Sequence, residues 1–240
     1  MIIIPHRRCL GTHVLILLLV VILMLHPSVF ILAQTPIWSQ TYGGEESDVA
    51  FALIQTTDGG YALAGWTASY GAGSYDYWLV KTDSNGVAQW NQTYGGEESD
   101  RANAFIQTTN GGYALAGTTE SYGAGSYDYW LVKTDSNGVA QWNQTYGRGS
   151  SDFAEALIQT TDGGYALAGT TQFDGDYDYW LVKTDSNGVA QWNQTYGRGS
   201  SDVAYALIQT TDGGYTLAGG TASYGAGGSD YWLVKTEGMA

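Results

Sequence analysis

The segment YDYWLVKTDSNGVAQWNQTYG occurs three times without a change, at 75–95, 127–147 and 177–197, inside a longer unit that is present four times. Trp38, Trp90, Trp142 and Trp192 mark its period of 52, 52 and 50 residues. Repetition at this period belongs to propellers, solenoids and arrays, where one supersecondary unit cannot bury its apolar surface alone and stacks on its neighbours. Only one spacing is shorter, so the tolerated change in length sits in one connection.

In the second unit, 100–109 reads as a strand, Asn110-Gly111-Gly112 as a tight turn and 113–118 as the next strand. A Gly-rich connection leads to a third strand over 127–134, and Asp135-Ser136-Asn137-Gly138 turns the chain into a fourth over 139–146. Asn-Gly and Asp-Gly-Gly supply the positive φ angles of short antiparallel hairpins. Runs such as Ala50-Phe51-Ala52-Leu53-Ile54 and Tyr77-Trp78-Leu79-Val80 are apolar on both faces, so each sheet has to be covered on both sides.

The expected fold is therefore all-β: a β-propeller of four four-stranded antiparallel blades, with units at about 48–95, 100–147, 152–197 and 202–236. A β-helical solenoid is the alternative, disfavoured by the tight hairpins. Trp38-Ser39-Gln40-Thr41-Tyr42 has the sequence of a fourth strand, and Tyr231 to Lys235 that of a third. Pairing the two completes the last blade and closes the ring within one chain; exchange of the 38–42 strand between chains would give an eight-bladed ring from a swapped dimer.

Residues 1–33 differ from the rest. Arg7 and Arg8 precede an apolar run from Val14 to Leu25, and no acidic residue appears before Glu45. They read as a hydrophobic leader helix, either a cleaved signal peptide or a retained membrane anchor, which delivers the repeat domain at 34–240 to the outside. His6, His13, His26 and Cys9 all lie in the leader, so the repeat domain contains no histidine or cysteine. That excludes Ser-His-Asp triads, cysteine nucleophiles, His- or Cys-ligated haem and the usual zinc sites; no cofactor is expected. Outside the leader 7 basic residues face 23 acidic ones, which argues against a nucleic-acid partner.

Several polar residues recur in every unit. Asp48, Asp100, Asp152 and Asp202 head the first strands, Asp76, Asp128, Asp178 and Asp230 stand near the start of the third, and Lys81, Lys133, Lys183 and Lys235 lie within the third. Identical placement in all units points to hydrogen bonds and ion pairs that fasten the scaffold. The functional alternative is a carboxylate ring holding Ca²⁺, but no D-x-D-x-D-G run accompanies it, and no metal is expected. Asn91, Asn143 and Asn193 each open an N-Q-T glycosylation sequon on the outermost strand.

The pattern Asp, Asp-Gly-Gly-Tyr, Leu-Ala-Gly, Asp-Tyr-Trp-Leu-Val-Lys, Asp-x-x-Gly and Trp resembles the tandem β-propeller repeats of bacterial and archaeal secreted or cell-surface proteins over nearly all of 38–236. The resemblance implies a propeller in an extracellular setting and no reaction. The hairpin TDSNGVAQW is also similar to that of quinone-cofactor propeller dehydrogenases and, less closely, to the Asp-box of sialidases. Four blades are too few for the usual quinoprotein ring, and the Asp-box spacing differs by one residue.

Function is expected where the units vary. The tight turns share one rim, and the other carries the longer loops TASYGAGSYD, TESYGAGSYD, TQFDGDYD and TASYGAGGSD. Tyr, Ser and Gly on a rigid scaffold resemble the composition of binding loops, making Tyr70, Tyr122, Phe173 and Tyr224 the candidate ligand-binding residues for a glycan or cell-envelope protein. Phe51, Asn103, Glu155 and Tyr205 on the first strands, with Glu120, Asp174 and Asp176 in the loops, break the symmetry and would shape a single pocket. Glu155 with Asp174 or Asp176 is the one carboxylate pair that fits an alternative polysaccharide hydrolase or lyase. A non-catalytic, extracytoplasmic binding module is the leading expectation, monomeric or strand-swapped, touching a membrane only through the leader.

Overall fold

A computed structural model describes residues 37–173 and 175–238. The expected leader helix at 1–33 lies outside the described residues, as does Asp174. Among the described residues no helix is long and apolar enough to cross a membrane.

Among the described residues fifteen strands form four antiparallel sheets. The first contains β1 (Asp48–Gln55), β2 (Tyr61–Thr67), β3 (Asp76–Thr82) and β4 (Ala88–Tyr94); the second β5 (Asp100–Gln107), β6 (Tyr113–Thr119), β7 (Asp128–Thr134) and β8 (Ala140–Tyr146). The third contains β9 (Asp152–Gln159), β10 (Tyr165–Phe173), β11 (Asp176–Thr184) and β12 (Ala190–Tyr196), and the fourth β13 (Asp202–Gln209), β14 (Tyr215–Thr221) and β15 (Asp230–Lys235). Strand order follows chain order in each, the meander expected from the turns. In the β3–β4 turn the Asp83 carboxylate accepts from the amides of Asn85 (2.8 Å) and Val87 (2.9 Å), while Gly86 takes φ +76°.

Successive sheets pack face to face through three apolar cores. The rule of contact repeats. Tyr77 of the first sheet donates its hydroxyl to the Trp130 carbonyl of the second (3.0 Å), Tyr129 to Trp180 of the third (3.1 Å), and Tyr179 to Trp232 of the fourth (3.2 Å), with ring centroids 4.7 Å apart each time. A buried hydroxyl must find such an acceptor, so these tyrosines fix both spacing and tilt. The fourth strands clamp the next sheet from the outside: Trp90 meets Tyr113, Trp142 meets Tyr165 and Trp192 meets Tyr215, while Tyr94 and Tyr146 donate to the carbonyls of Gly138 and Gly188.

The expected ring closure is not found. Residues 38–42 form no strand, and β15 pairs only with β14 among the described residues. The fragment instead sits on the first sheet as each fourth strand sits on its successor: Trp38 lies 5.8 Å from Tyr61, and Tyr42 donates to the Gly86 carbonyl at 2.5 Å. Closure would require this segment to hold the first sheet and β15 at once. Sheet neighbours run in chain order from first to fourth, and only the first of those two demands is met.

Candidate functional site

One site emerges from a repeated defect in the sheets. In every first strand the pairing with the second strand slips by one residue, between Ala50 and Ala52, Ala102 and Ala104, Ala154 and Ala156, and Ala204 and Ala206. The extra residue at each slip is Phe51, Asn103, Glu155 and Tyr205 in turn, so the four variable positions are β-bulges. A bulge re-aims its side chain and presses the strand against its neighbour. Gly169 accommodates that approach, because a Cβ there would lie 2.0 Å from the Phe153 carbonyl oxygen. The Leu-Ala-Gly motif is thus a consequence of the bulge.

First strands of consecutive sheets are neighbours, β1 to β5, β5 to β9 and β9 to β13, so the bulged residues share one inner wall. At its long-loop end Phe51, Arg101, Asn103, Phe153 and Glu155 meet Ser99, Thr118, Glu120 and Tyr127 around a cavity of about 320 Å³. That volume is at the lower end of small-ligand sites. Phe153 stacks between Tyr127 (5.1 Å) and Tyr177 (6.2 Å), giving an aromatic wall. The Arg101 guanidinium lies 4.6 Å over the Tyr75 ring and 5.8 Å from that of Trp66, a cation held against aromatic faces.

The polar groups differ in state. Burial pushes the Glu155 carboxyl up to about 7, so near neutrality it exchanges its proton readily. Hydrogen bonding to Glu120, followed by burial, raises the Tyr127 phenol above its ordinary value. The Asn103 amide donates to the Ala154 carbonyl at 2.9 Å, tying the second sheet's bulge to the third's. Aromatic faces, a guanidinium, a protonatable carboxyl and an amide are the groups that bind sugar rings and their hydroxyls.

The four residues expected to bind on the rim occupy different settings. Tyr70, Tyr122 and Tyr224 stack on Trp78, Trp130 and Trp232 at 5.5, 5.2 and 4.9 Å, each leaving part of its ring in solvent. Tyr70 and Tyr122 also donate to the carbonyls of Gly43 and Gly95, both at 2.9 Å. Phe173 belongs to β10 rather than a long loop: the shortened third connection extends the hairpin, and Phe173 pairs with Asp176. Asp176 opens β11 and is not among the cavity residues, whereas Glu120 is. The carboxylates that share a site are therefore Glu155 and Glu120. Sequence reading missed Arg101 and Phe153, although both stand where the other units have valine, Val49 and Val203.

The recurring polar residues hold the scaffold. Asp48 accepts from the Gly44 amide (2.9 Å) and Ser69 hydroxyl (2.8 Å), and Asp100 from Gly96 (2.9 Å) and Ser121 (2.7 Å), pinning the loops to the strand heads. Asp76 accepts from the amides of Ala72 and Gly73. Lys81 reaches Asp58 (2.8 Å), the Thr82 carbonyl (2.8 Å) and Gln89 (3.0 Å), a set repeated at Lys183. In the second sheet Asn110 replaces the aspartate, and burial lowers the Lys133 ammonium. Asn91, Asn143 and Asn193 are exposed, and each accepts from a tryptophan Nε1 at 3.2 Å. Among the described residues no group of three or more acidic side chains is placed to hold a metal ion.

No protein-family model matches this chain, and no curated protein matches it either.

Proposed function

We propose that this chain is a non-catalytic binding module of the cell exterior, its four sheets acting as propeller blades, which takes a glycan at the long-loop rim. One observation carries the reading: Phe51, Arg101, Asn103, Glu120, Phe153 and Glu155, all at positions where otherwise near-identical units differ, line one cavity, whereas Tyr205 lines the concavity beside β15. A scaffold that only spaced other domains would have no reason to concentrate its differences there. The basic, apolar leader and the absence of histidine and cysteine from 34–240 support an exported, non-catalytic role. An envelope protein displaying such glycans is the natural partner.

The test is a glycan array probed with the full chain, its Arg101→Ala variant and its Tyr122→Ala variant. Loss of the hits with Arg101→Ala supports the cavity; loss only with Tyr122→Ala moves recognition to the outer loops. Hits that survive both changes refute the site. The Glu155 carboxyl, raised by burial to about 7 in a cavity that Glu120 also lines, favours a second reading as a polysaccharide hydrolase or lyase. Turnover of a polysaccharide panel that disappears in Glu155→Gln would establish it.

A further inference from the structure

Three of the four sheets hand one face to the next sheet, and the fourth hands the same face to solvent. Tyr77, Tyr129 and Tyr179 are each wholly buried at 0% exposure, as are Leu79, Leu131 and Leu181 beside them. Their counterparts on β15, Tyr231 and Leu233, are 103% and 70% exposed. These two residues, with Tyr205, Ala218 and Trp232, line an open apolar concavity of about 840 Å³. The opposite kind of face is uncovered at the other end: Leu53 of the first sheet is 63% exposed, whereas its counterparts Phe105, Leu157 and Leu207 are 5–6% exposed within the cores.

We infer that a second copy of this chain covers both faces, docking head to tail so that four sheets from each copy close one eight-bladed ring. The contact continues the three interfaces already inside the chain. In it, Tyr231 donates its hydroxyl to the Trp78 carbonyl of the second copy, the next member of the Tyr77–Trp130, Tyr129–Trp180 and Tyr179–Trp232 series.

The same docking supplies β15 with its missing neighbour. Residues 38–42 of the second copy already lie on that copy's first sheet in the position of a preceding fourth strand, with the Trp–Tyr spacing and Tyr-to-Gly hydrogen bond of the internal cases. In the internal sheets Val80 pairs with Asn91 and Lys81 with Trp90. The same register sets Val234 against Ser39 of the second copy and Lys235 against its Trp38. Head-to-tail contacts of one kind make a closed ring when the rotation permits, and eight blades lie within the range that propellers use.

The decisive experiment is cross-linking of the full chain carrying Cys9→Ser, Val234→Cys and Ser39→Cys, in density-matched detergent, with mass measured by sedimentation before and after mild oxidation. Antiparallel partners stand about 4.5–5.5 Å apart at Cα, within disulfide reach. Twice the chain mass together with a disulfide between chains supports the inference. A single chain mass, a disulfide within one chain or a ladder of larger polymers overturns it. Tyr231→Asp with Leu233→Lys checks the face independently: both side chains are solvent-exposed in one copy, so circular dichroism should be unchanged while the mass falls to one chain. A mass that stays doubled in this variant overturns the inference as well.

Discussion

Glu155 should make stability depend on pH in a way that a single substitution isolates. Its carboxyl is raised from 4.5 to about 7 because the bulge turns it into a partly dehydrated wall. A group whose folded pKa lies above its unfolded one stabilises the fold fully below the unfolded value, and loses that contribution as pH rises through the folded value. Stability from Glu155 is therefore complete near pH 4, declines between 4.5 and about 7 and is gone at pH 8. A shift of this size corresponds to about 3 kcal/mol at 1.36 kcal/mol per unit. The side chain keeps partial contact with water, which reduces the working figure to roughly 1.5 kcal/mol. Glu155→Gln removes the ionisation and keeps the shape, so it should be more stable than the parent by that amount at pH 8 and equal to it at pH 4. In a domain of this size the gap amounts to roughly 3–6 °C in Tm. Burial also raises Asp76, Asp128, Asp152 and Asp178, but both proteins share those groups and the difference isolates Glu155. Differential scanning calorimetry at the two pH values decides it. Equal Tm values at pH 8, or a gap that persists at pH 4, would refute the reasoning.

The scaffold offers further tests by thermal unfolding. Gly169→Ala drives a Cβ to 2.0 Å from the Phe153 carbonyl and should cost several times more than Gly163→Ala, where nothing lies within 4 Å and only φ +84° is strained, worth about 1 kcal/mol. Equal losses would remove the bulge as the reason for that glycine. Tyr129→Phe deletes a buried hydroxyl bonded at 3.1 Å to Trp180 and should cost about 0.5–1.5 kcal/mol; an unchanged Tm contradicts the interlocking role. Asn110→Asp gives Lys133 the carboxylate that Lys81 and Lys183 possess and should add about 0.2–1 kcal/mol at pH 7. Its model is Asp162, held down at about 2 chiefly by the hydrogen bond from Lys183 once burial's opposing effect is overcome. The gain belongs above the ordinary aspartate range and should vanish as pH falls toward 2, so a gain that persists there contradicts the ion pair.

Strand order was legible because turn chemistry and repetition agree: Asp135 to Gly138 and its copies can only reverse the chain, and the observed β5 to β8 begin and end within about two residues of the expected spans. The scaffolding role of the recurring Asp and Lys followed from identical placement. The bulges were invisible for a physical reason. A one-residue slip is read from broken alternation, and strands that are apolar on both faces have none to break. Arg101 escaped notice because the position varies among valine, arginine and phenylalanine, a substitution between apolar types in all units but one. Phe173 was equated with Tyr70 by alignment, yet deleting two residues from a connection converts loop into hairpin. The seat of residues 38–42 was half legible: they have a fourth strand's sequence and take a fourth strand's place against the first sheet, but they form no strand, because packing there and pairing with β15 are separate events.

Recognition where the units differ, on a frame built where they are near-identical, is the central proposal. Its most direct measurement is the glycan-array profile of a variant carrying Arg101→Val, Glu120→Ala and Glu155→Gln. The first two install the residues of the first and fourth units, Val49 and Val203, and Ala68 and Ala222. The parent should give glycan hits and the variant none, with a cooperative melting transition in both. Hits retained by the variant, or none from either protein, would contradict it.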